Sequence, residues 1–333
     1  MEITAWKAAR PGAPLERTTA TLLEPGPDEL VLEVLHCGLC HSDVSMLDDA
    51  WGISSYPLVP GHEVVGRVAA VGDGVDPALV GQVRGLGWFA GSCRHCLRCL
   101  GGEANLCGAL EATIVGRQGG FASHVKAHQD WVIPIPAGVR QEDAGPLFCG
   151  GITVFAPLFD EGVSPTARVG VIGIGGLGHL ALQFARAWGC EVNAITTSME
   201  KEEEARRMGA HRVLPLAELG EQVDSFDLIL NTSNHDLDWS AVVGSLAPKG
   251  RLHQLGVPPH PIEVQAFSLI AGRRQLTGSP TGSPATLRRM VAFCARHGIA
   301  PQVEHLPMAQ LNSAIERLRR GDVRYRFVLD GPA

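Results

Sequence analysis

Cys93, Cys96, Cys99 and Cys107 fall in the pattern C-x2-C-x2-C-x7-C. Thiolates so spaced can close a tetrahedral shell round one zinc ion, and a shell made wholly of sulfur leaves no position open to substrate. The cluster therefore predicts a structural site that staples a lobe. An iron–sulfur cluster is the rival, but the spacing differs from the common ferredoxin runs, and thiolate preferences favour zinc. His95, inside the cluster, reads as an exposed loop histidine. Three more segments set metal-capable side chains beside glycines: residues 38–43 (Gly-Leu-Cys-His-Ser-Asp), 61–66 (Gly-His-Glu-Val-Val-Gly) and 146–151 (Pro-Leu-Phe-Cys-Gly-Gly). A lone cysteine is usually a small buried hydrophobe. Together, however, these segments offer Cys40, His62 and Cys149, a set of two sulfurs and one imidazole that leaves zinc's fourth position free.

Gly173-Ile174-Gly175-Gly176-Leu177-Gly178 follows an apolar run in the form G-x-G-x-x-G. Such glycines let backbone approach a pyrophosphate, whose charge sits at the N-terminus of the next helix. About 20 residues on, a site for NAD normally shows an acid that holds the ribose 2′-hydroxyl. This chain has Thr196-Thr197-Ser198 followed by Lys201. Hydroxyls and an ammonium suit a 2′-phosphate. Glu200 opposes that reading, but it also fits the acidic first turn of an exposed helix.

Elements must position these groups. Residues 29–37 and 63–71 read as strands, and up to about residue 140 the pattern is of short strands and turns with few helices, which suggests a barrel-like domain. From Ala167 strands alternate with amphipathic helices: 168–173 then 176–188, 191–196 then 200–208, 227–231 then 239–247, and 251–257. That alternation is the sign of a parallel sheet wrapped by helices. Helical patterns at 284–297 and 308–320 and a strand at 325–329 follow. Leu177, Leu180, Ala181, Phe184, Ala185 and Trp188 make one apolar stripe, so Phe184 and Trp188 read as core.

Composition excludes several classes. Charged residues at 19% are too few for a disordered chain, and hydrophobic residues at 45% suffice for real cores. A formal charge of −7 argues against non-specific binding to nucleic acid or anionic membranes. No stretch approaches the ~20 apolar residues of a membrane span. The first residues hold no signal-like apolar run. An odd count of nine cysteines argues against a disulfide framework. A cytoplasmic protein is expected.

Taken together, the segments 38–43, 61–66, 146–153 and 173–178, the cysteine lobe and the ending 322–327 resemble the zinc-dependent medium-chain alcohol dehydrogenases. Within them the likeness is to the branch of the plant cinnamyl alcohol dehydrogenases and bacterial aldehyde reductases. It covers nearly the whole chain. The resemblance implies that Cys40, His62 and Cys149 hold catalytic zinc, that Glu63 approaches the metal when ligands exchange, and that Asp43 orients His62. It implies that the hydroxyl of Ser42 takes the alcohol's proton. It also implies that His41, Thr153, Arg326 and the glycine loop face the cofactor, and that Trp88 stands at a position that commonly lines the substrate cleft. Trp51, Phe89 and Phe121 are further wall candidates, with ordinary core as the competing reading for all four. The family's second relay histidine is replaced here by Ser45, and the aspartate usual after Gly81 by Gln82.

The expected fold is α/β. A GroES-like, β-rich catalytic domain (1–149 and 281–333) is joined to a doubly wound Rossmann domain (150–280), with the active site in the cleft. The expected activity is reversible hydride transfer between NADP(H) and primary alcohols or aldehydes, with two zinc ions per chain and, on family grounds, a homodimer. Three alternatives differ in recognisable ways. A non-catalytic zinc-ribbon module leaves the second metal set unexplained. NAD-dependent polyol or secondary-alcohol dehydrogenases often carry a carboxylate at the position of Cys149. Reductases of C=C or iminium bonds usually lack the relay hydroxyl.

Overall fold

The computed structural model describes residues 1–331. The chain divides into two compact units, Met1–Ile152 together with the segment from Thr281 onward, and Thr153–Pro280. No helix among the described residues is long and apolar enough to cross a membrane.

The first unit opens with β1 (Glu2–Lys7), β2 (Glu16–Thr21) and β3 (Glu29–Leu39). A short helix α1 (His41–Leu47) precedes β4 (Glu63–Val71), β5 (Val83–Leu86) and β6 (Phe89–Gly91). The single turn α2 (Leu97–Leu100), β7 (Glu111–Ala112), β8 (His124–His128) and β9 (Val132–Pro134) follow. β3 and β4 pair antiparallel along nearly their whole lengths, β5 and β9 extend the sheet, and β8 also pairs with β3. β3 is buried at Leu30–Leu32, Val34 and Cys37–Leu39, with Glu33 exposed between them. α1 is the helix that the sequence pattern conceals. Cys40 is its N-cap, and Asp43 at the third helical position accepts a hydrogen bond from the Cys40 N–H at 2.9 Å. This is a capping box with cysteine where serine or threonine normally stands.

The second unit follows α3 (Gly150–Asp160), within which the division falls. β10 (Arg168–Ile172), α4 (Gly178–Trp188), β11 (Glu191–Thr196), α5 (Glu202–Arg207) and β12 (Arg212–Pro215) come first. β13 (Phe226–Asn231), α6 (Trp239–Gly244), β14 (Leu246–Gln254), α7 (Ala266–Gly272) and β15 (Gln275–Gly278) complete it. The six strands are parallel in the order β12-β11-β10-β13-β14-β15. Counted within the unit this is 3-2-1-4-5-6, the doubly wound order that binds dinucleotides. The helix expected at 239–247 ends at Gly244, and β14 begins five residues before the expected strand. A register shift against β13 and a left-handed Lys249 (φ 66°) after Pro248 break its regular pattern, which hides the strand's start. On α4, Leu180, Ala181, Phe184 and Ala185 are buried, and Phe184 meets Phe155 edge-to-face at 5.4 Å. Half-buried Trp188 donates its ring N–H to the Val163 carbonyl at 2.9 Å.

The chain then returns to the first unit through α8 (Pro284–His297), β16 (Val303–Pro307), α9 (Leu311–Arg319) and β17 (Arg326–Asp330). β17 lies parallel to β16 and antiparallel to β3, so the two ends of the chain share one seven-stranded sheet.

Candidate functional site

Four groups from distant segments meet inside the first unit. Cys40 caps α1, His62 and Glu63 lie at the start of β4, and Cys149 follows a short 3₁₀ turn (Gly145–Phe148). Their ligating atoms lie within 4.8 Å of one another, and all four residues are buried. The sulfurs of Cys40 and Cys149 are 4.0 Å apart, and His62 Nε2 is 3.2 Å from the Cys149 sulfur. Round a tetrahedral zinc with ordinary bond lengths, two sulfurs would stand about 3.8 Å apart and a nitrogen and sulfur about 3.6 Å. The donor set matches the ion closely.

Asp43 fixes the imidazole. Its Oδ1 accepts from His62 Nδ1–H at 2.9 Å and from the Gly61 N–H at 2.8 Å, with Oδ2 on the Cys40 N–H. Nε2 is thereby left facing the sulfurs. Gly61 makes its bond from a left-handed backbone (φ 97°), and a Cβ there would stand 2.5 Å from the Phe121 nitrogen. Gly38 serves differently. It pairs with Glu63 across β3 and β4, and a Cβ on it would occupy the carboxylate's place, 2.1 Å from Oε2. A glycine within a strand marks such an approach, but nothing in the sequence says what approaches.

Glu63 is wholly buried, and neither of its oxygens has a hydrogen-bond partner among the described residues. Arg326, also buried, stands 3.4 Å away. Its guanidinium packs against this carboxylate. Burial pushes Glu63 up to about 7, and Arg326 opposes the shift. A hydrogen bond from Cys149 holds Cys40 well below the ordinary thiol range, and the same bond with burial raises Cys149. Burial disfavours a charged His62, yet Asp43 and Cys40 outweigh it and raise the imidazole. Two sulfurs and a carboxylate without hydrogen bonds, against one guanidinium, make a pocket that suits a divalent cation.

Ser42 is half-buried, its hydroxyl 3.6 Å from the Cys40 sulfur, while His41 is exposed at the start of α1. Trp88 packs edge-on against the His62 ring at 4.9 Å, and Trp51 packs on Trp88 at 5.8 Å. A cavity of about 600 Å³ is lined by Trp88, Ile53, Leu110, Val115, Glu111 and Arg117, among others. Trp51 does not line that cavity and reaches it only through its contact with Trp88. Phe121 is fully buried core, and Phe89 packs on Trp131.

Cys93, Cys96, Cys99 and Cys107 form a second centre in the same unit. Cys93 lies 3.9 Å from Cys99 and 3.5 Å from Cys107, and Cys96 lies 3.8 Å from Cys107, sulfur to sulfur. These separations also bracket the tetrahedral value. Backbone hydrogen bonds at Cys93 and Ala109 pull Cys107 down to about 6, favouring the thiolate a metal needs.

In the second unit, Gly173 turns the chain after β10 with φ 86°. A Cβ at Gly178 would collide with the Gly173 carbonyl at 1.9 Å, so this crossing of loop and helix admits only glycine. Gly175, Gly176 and Leu177 join the two ahead of α4. At the end of β11, Thr196 Oγ1 donates to the Ser198 carbonyl and accepts from its N–H. Thr197 is exposed, and Lys201 donates to the Ile174 carbonyl at 3.1 Å, tying this segment to the glycine loop. Thr153 is half-buried on α3.

Residues 26–137 match the alcohol dehydrogenase GroES-like domain, and residues 176–296 match the zinc-binding dehydrogenase family. Aldehyde reductase AdhA of Synechocystis is 50% identical over 307 residues, covering 91% of each chain. NADP-dependent alcohol dehydrogenase C 1 of Mycolicibacterium smegmatis is 38% identical over 98% of this chain and 97% of its own. Among solved structures, a cinnamyl alcohol dehydrogenase of Sorghum bicolor superposes with a TM-score of 0.94 at 34% identity, covering 99% and 98% of the two chains. With a GroES-like unit, a Rossmann unit and these relatives, the chain belongs to the zinc-dependent medium-chain alcohol dehydrogenases and aldehyde reductases.

Proposed function

We propose that the chain reversibly reduces aldehydes to primary alcohols with NADPH. The observation that carries the cofactor choice is the end of β11, where Thr196, Thr197, Ser198 and Lys201 stand in place of an acid. Hydroxyl donors and an ammonium bound to the glycine loop favour a 2′-phosphate, and an acid would repel it. The name of the mycolicibacterial relative supports the same choice.

Cys40, His62 and Cys149 would hold the catalytic zinc, Glu63 would stand in reserve as a ligand, and Cys93, Cys96, Cys99 and Cys107 would hold the structural ion. The catalytic ion, when bound, polarises a carbonyl or eases an alcohol's loss of its proton, and the nicotinamide carries the hydride. The protein's own groups do the rest. Asp43 keeps Nε2 of His62 aimed at the metal position. Ser42 moves the proton at its Oγ, and Trp88 keeps water from the face of the site that it covers. Gly173, Gly175, Gly176, Leu177 and Gly178 would cradle the pyrophosphate, with Thr153 of the same unit as a further contact.

A homodimer is supported by the edge strand β15 and by exposed Phe267 and Ile270 on α7, which are 76% and 70% exposed. Apolar side chains so placed are normally covered. A cytoplasmic location fits the absence of any disulfide among the described cysteines.

The test is steady-state rates on a small aldehyde panel with each reduced nicotinamide. One or two charge-assisted contacts at ~1.5–3 kcal/mol each should favour NADPH at least about tenfold. Thr197→Asp should narrow or reverse that ratio. Equal catalytic efficiency with both cofactors in the parent enzyme would refute the assignment.

A further inference from the structure

The first unit holds a third cluster of metal-capable side chains, away from both cysteine centres. β17 lies between β16 and β3. Asp330 is the direct cross-strand partner of His36, and His305 pairs with Val328, two residues before Asp330 and hence on the same face. Strand register alone therefore brings the three side chains together. Both histidines point Nδ1 at one oxygen, Asp330 Oδ1, each at 2.8 Å, with their rings nearly perpendicular. The other nitrogen of His305 is held by Asp143 Oδ1 at 2.9 Å. Asp143 is buried, at 7% exposure, and Arg140 steadies it from 3.2 Å.

We propose that His36, His305 and Asp330 form a site for a divalent transition-metal ion, with Asp143 as the positioning residue that sets the His305 ring. Two imidazoles and one carboxylate on one face of an ion, with open positions beyond, are an established donor set for such metals. At metal–ligand bonds of about 2.1 Å, neighbouring ligands of a six-coordinate ion stand about 3.0 Å apart, against about 3.4 Å for a tetrahedral one. The observed 2.8 Å contacts lie nearer the first value. Side-chain exposures of 25%, 31% and 45% for His36, His305 and Asp330 leave room for waters on the outer face. Asp143 repeats toward His305 what Asp43 does toward His62, a carboxylate on the far nitrogen that fixes which nitrogen faces the ion. The cluster also has a structural setting. His36 lies four residues before Cys40, Asp330 four after Arg326, and Asp143 six before Cys149. An ion here would strap β3, β16 and β17 together and, through Asp143, the segment that leads to Cys149.

The experiment is equilibrium dialysis of the zinc-loaded enzyme against submillimolar nickel, with both metals measured. The expected result is one nickel per chain with the zinc content unchanged. The double variant His36→Ala/His305→Ala should retain its zinc and its aldehyde turnover but bind no nickel. Asp143→Asn should weaken nickel binding by about 10–100-fold without abolishing it. If the double alanine variant loses zinc, Asp330→Asn replaces it, with at least a tenfold loss in nickel affinity expected. Failure to bind nickel, binding only as zinc departs, or equal binding by parent and variants would each overturn the proposal. None of these readings depends on the choice of cofactor or substrate.

Discussion

Asp43→Asn separates the holding of the fold from the holding of the metal. The parent carboxylate is fully buried and accepts three hydrogen bonds, from Cys40 N–H, Gly61 N–H and His62 Nδ1–H. An amide has one oxygen, so two orientations are available. With the oxygen in the place of Oδ2, the NH2 group confronts two donors. With the oxygen in the place of Oδ1, it confronts only the Cys40 N–H, and this orientation wins. The orphaned N–H costs about 1–3 kcal/mol, and trading a charged acceptor for a neutral one weakens the other two bonds by about 1 kcal/mol each. The total is about 3–5 kcal/mol. Most of it falls on the metal-free and metal-loaded forms alike, because the bonds from Cys40 and Gly61 hold the loop in both. Only the His62 share distinguishes the two forms, so zinc affinity at the buried site should fall by about 10–100-fold. Chelator competition provides the assay, with the four-cysteine centre as internal reference. One zinc per chain should leave at lower chelator concentration while the other leaves as in the parent, and the urea midpoint should drop. Unchanged release of both ions would refute the reasoning, and equal weakening of both would show the effect to be global.

Ser42→Ala should cut turnover by ~10²–10⁴, the range of a positioned acid–base group, with little change in cofactor affinity; unaltered turnover, where chemistry is rate-limiting, would remove the hydroxyl from the proton's path. Cys96→Ala should release one zinc and expose the lobe 92–110 to limited proteolysis, while the second ion stays bound; an intact lobe with two ions would refute the four-sulfur shell. His253, buried in the Rossmann unit, donates from Nδ1 to Glu161 and accepts at Nε2 from Ser279. Burial, aided by Arg251, pushes it down to about 4 from 6.5, so the contact with Glu161 is a hydrogen bond to a neutral ring rather than an ion pair. Folding favours the neutral form, so this contribution is complete above about 6.5 and is lost as the pH falls toward about 4. At ~1.4 kcal/mol per unit the full loss is on the order of 3 kcal/mol. His253→Gln should flatten the acid limb of stability, measured as urea midpoint against pH, and an identical slope in both proteins would refute it.

The sequence was informative where chemistry or periodicity leaves a local signature. The spacing of Cys93 to Cys107, the loop at 173–178 and the stripe on α4 are all set within a few residues, and all were legible. α8 occupies the limits its pattern indicates, 284–297. α1 escaped because a cysteine caps it. α7 and β15 escaped because Phe267, Ile270 and Leu276 point outward, against the rule that apolar side chains mark the inner face. The pairing of Arg326 with Glu63 and the meeting of His36, His305 and Asp330 are set by strand register between the two ends of the chain. Nothing local encodes such a meeting.

That shared sheet also bears on how the molecule is made. The Rossmann unit is one continuous stretch and can close as soon as its residues have left the ribosome. The unit holding the metal-capable groups cannot, because β17 supplies both a strand beside β3 and the positive charge against Glu63. Throughout translation Cys40, His62, Glu63 and Cys149 must wait, with β3 presenting an unsatisfied edge and a carboxylate lacking its counterion. The strand order therefore lets the nucleotide-binding half close before the metal-holding half, whose sheet is completed only when β17 arrives.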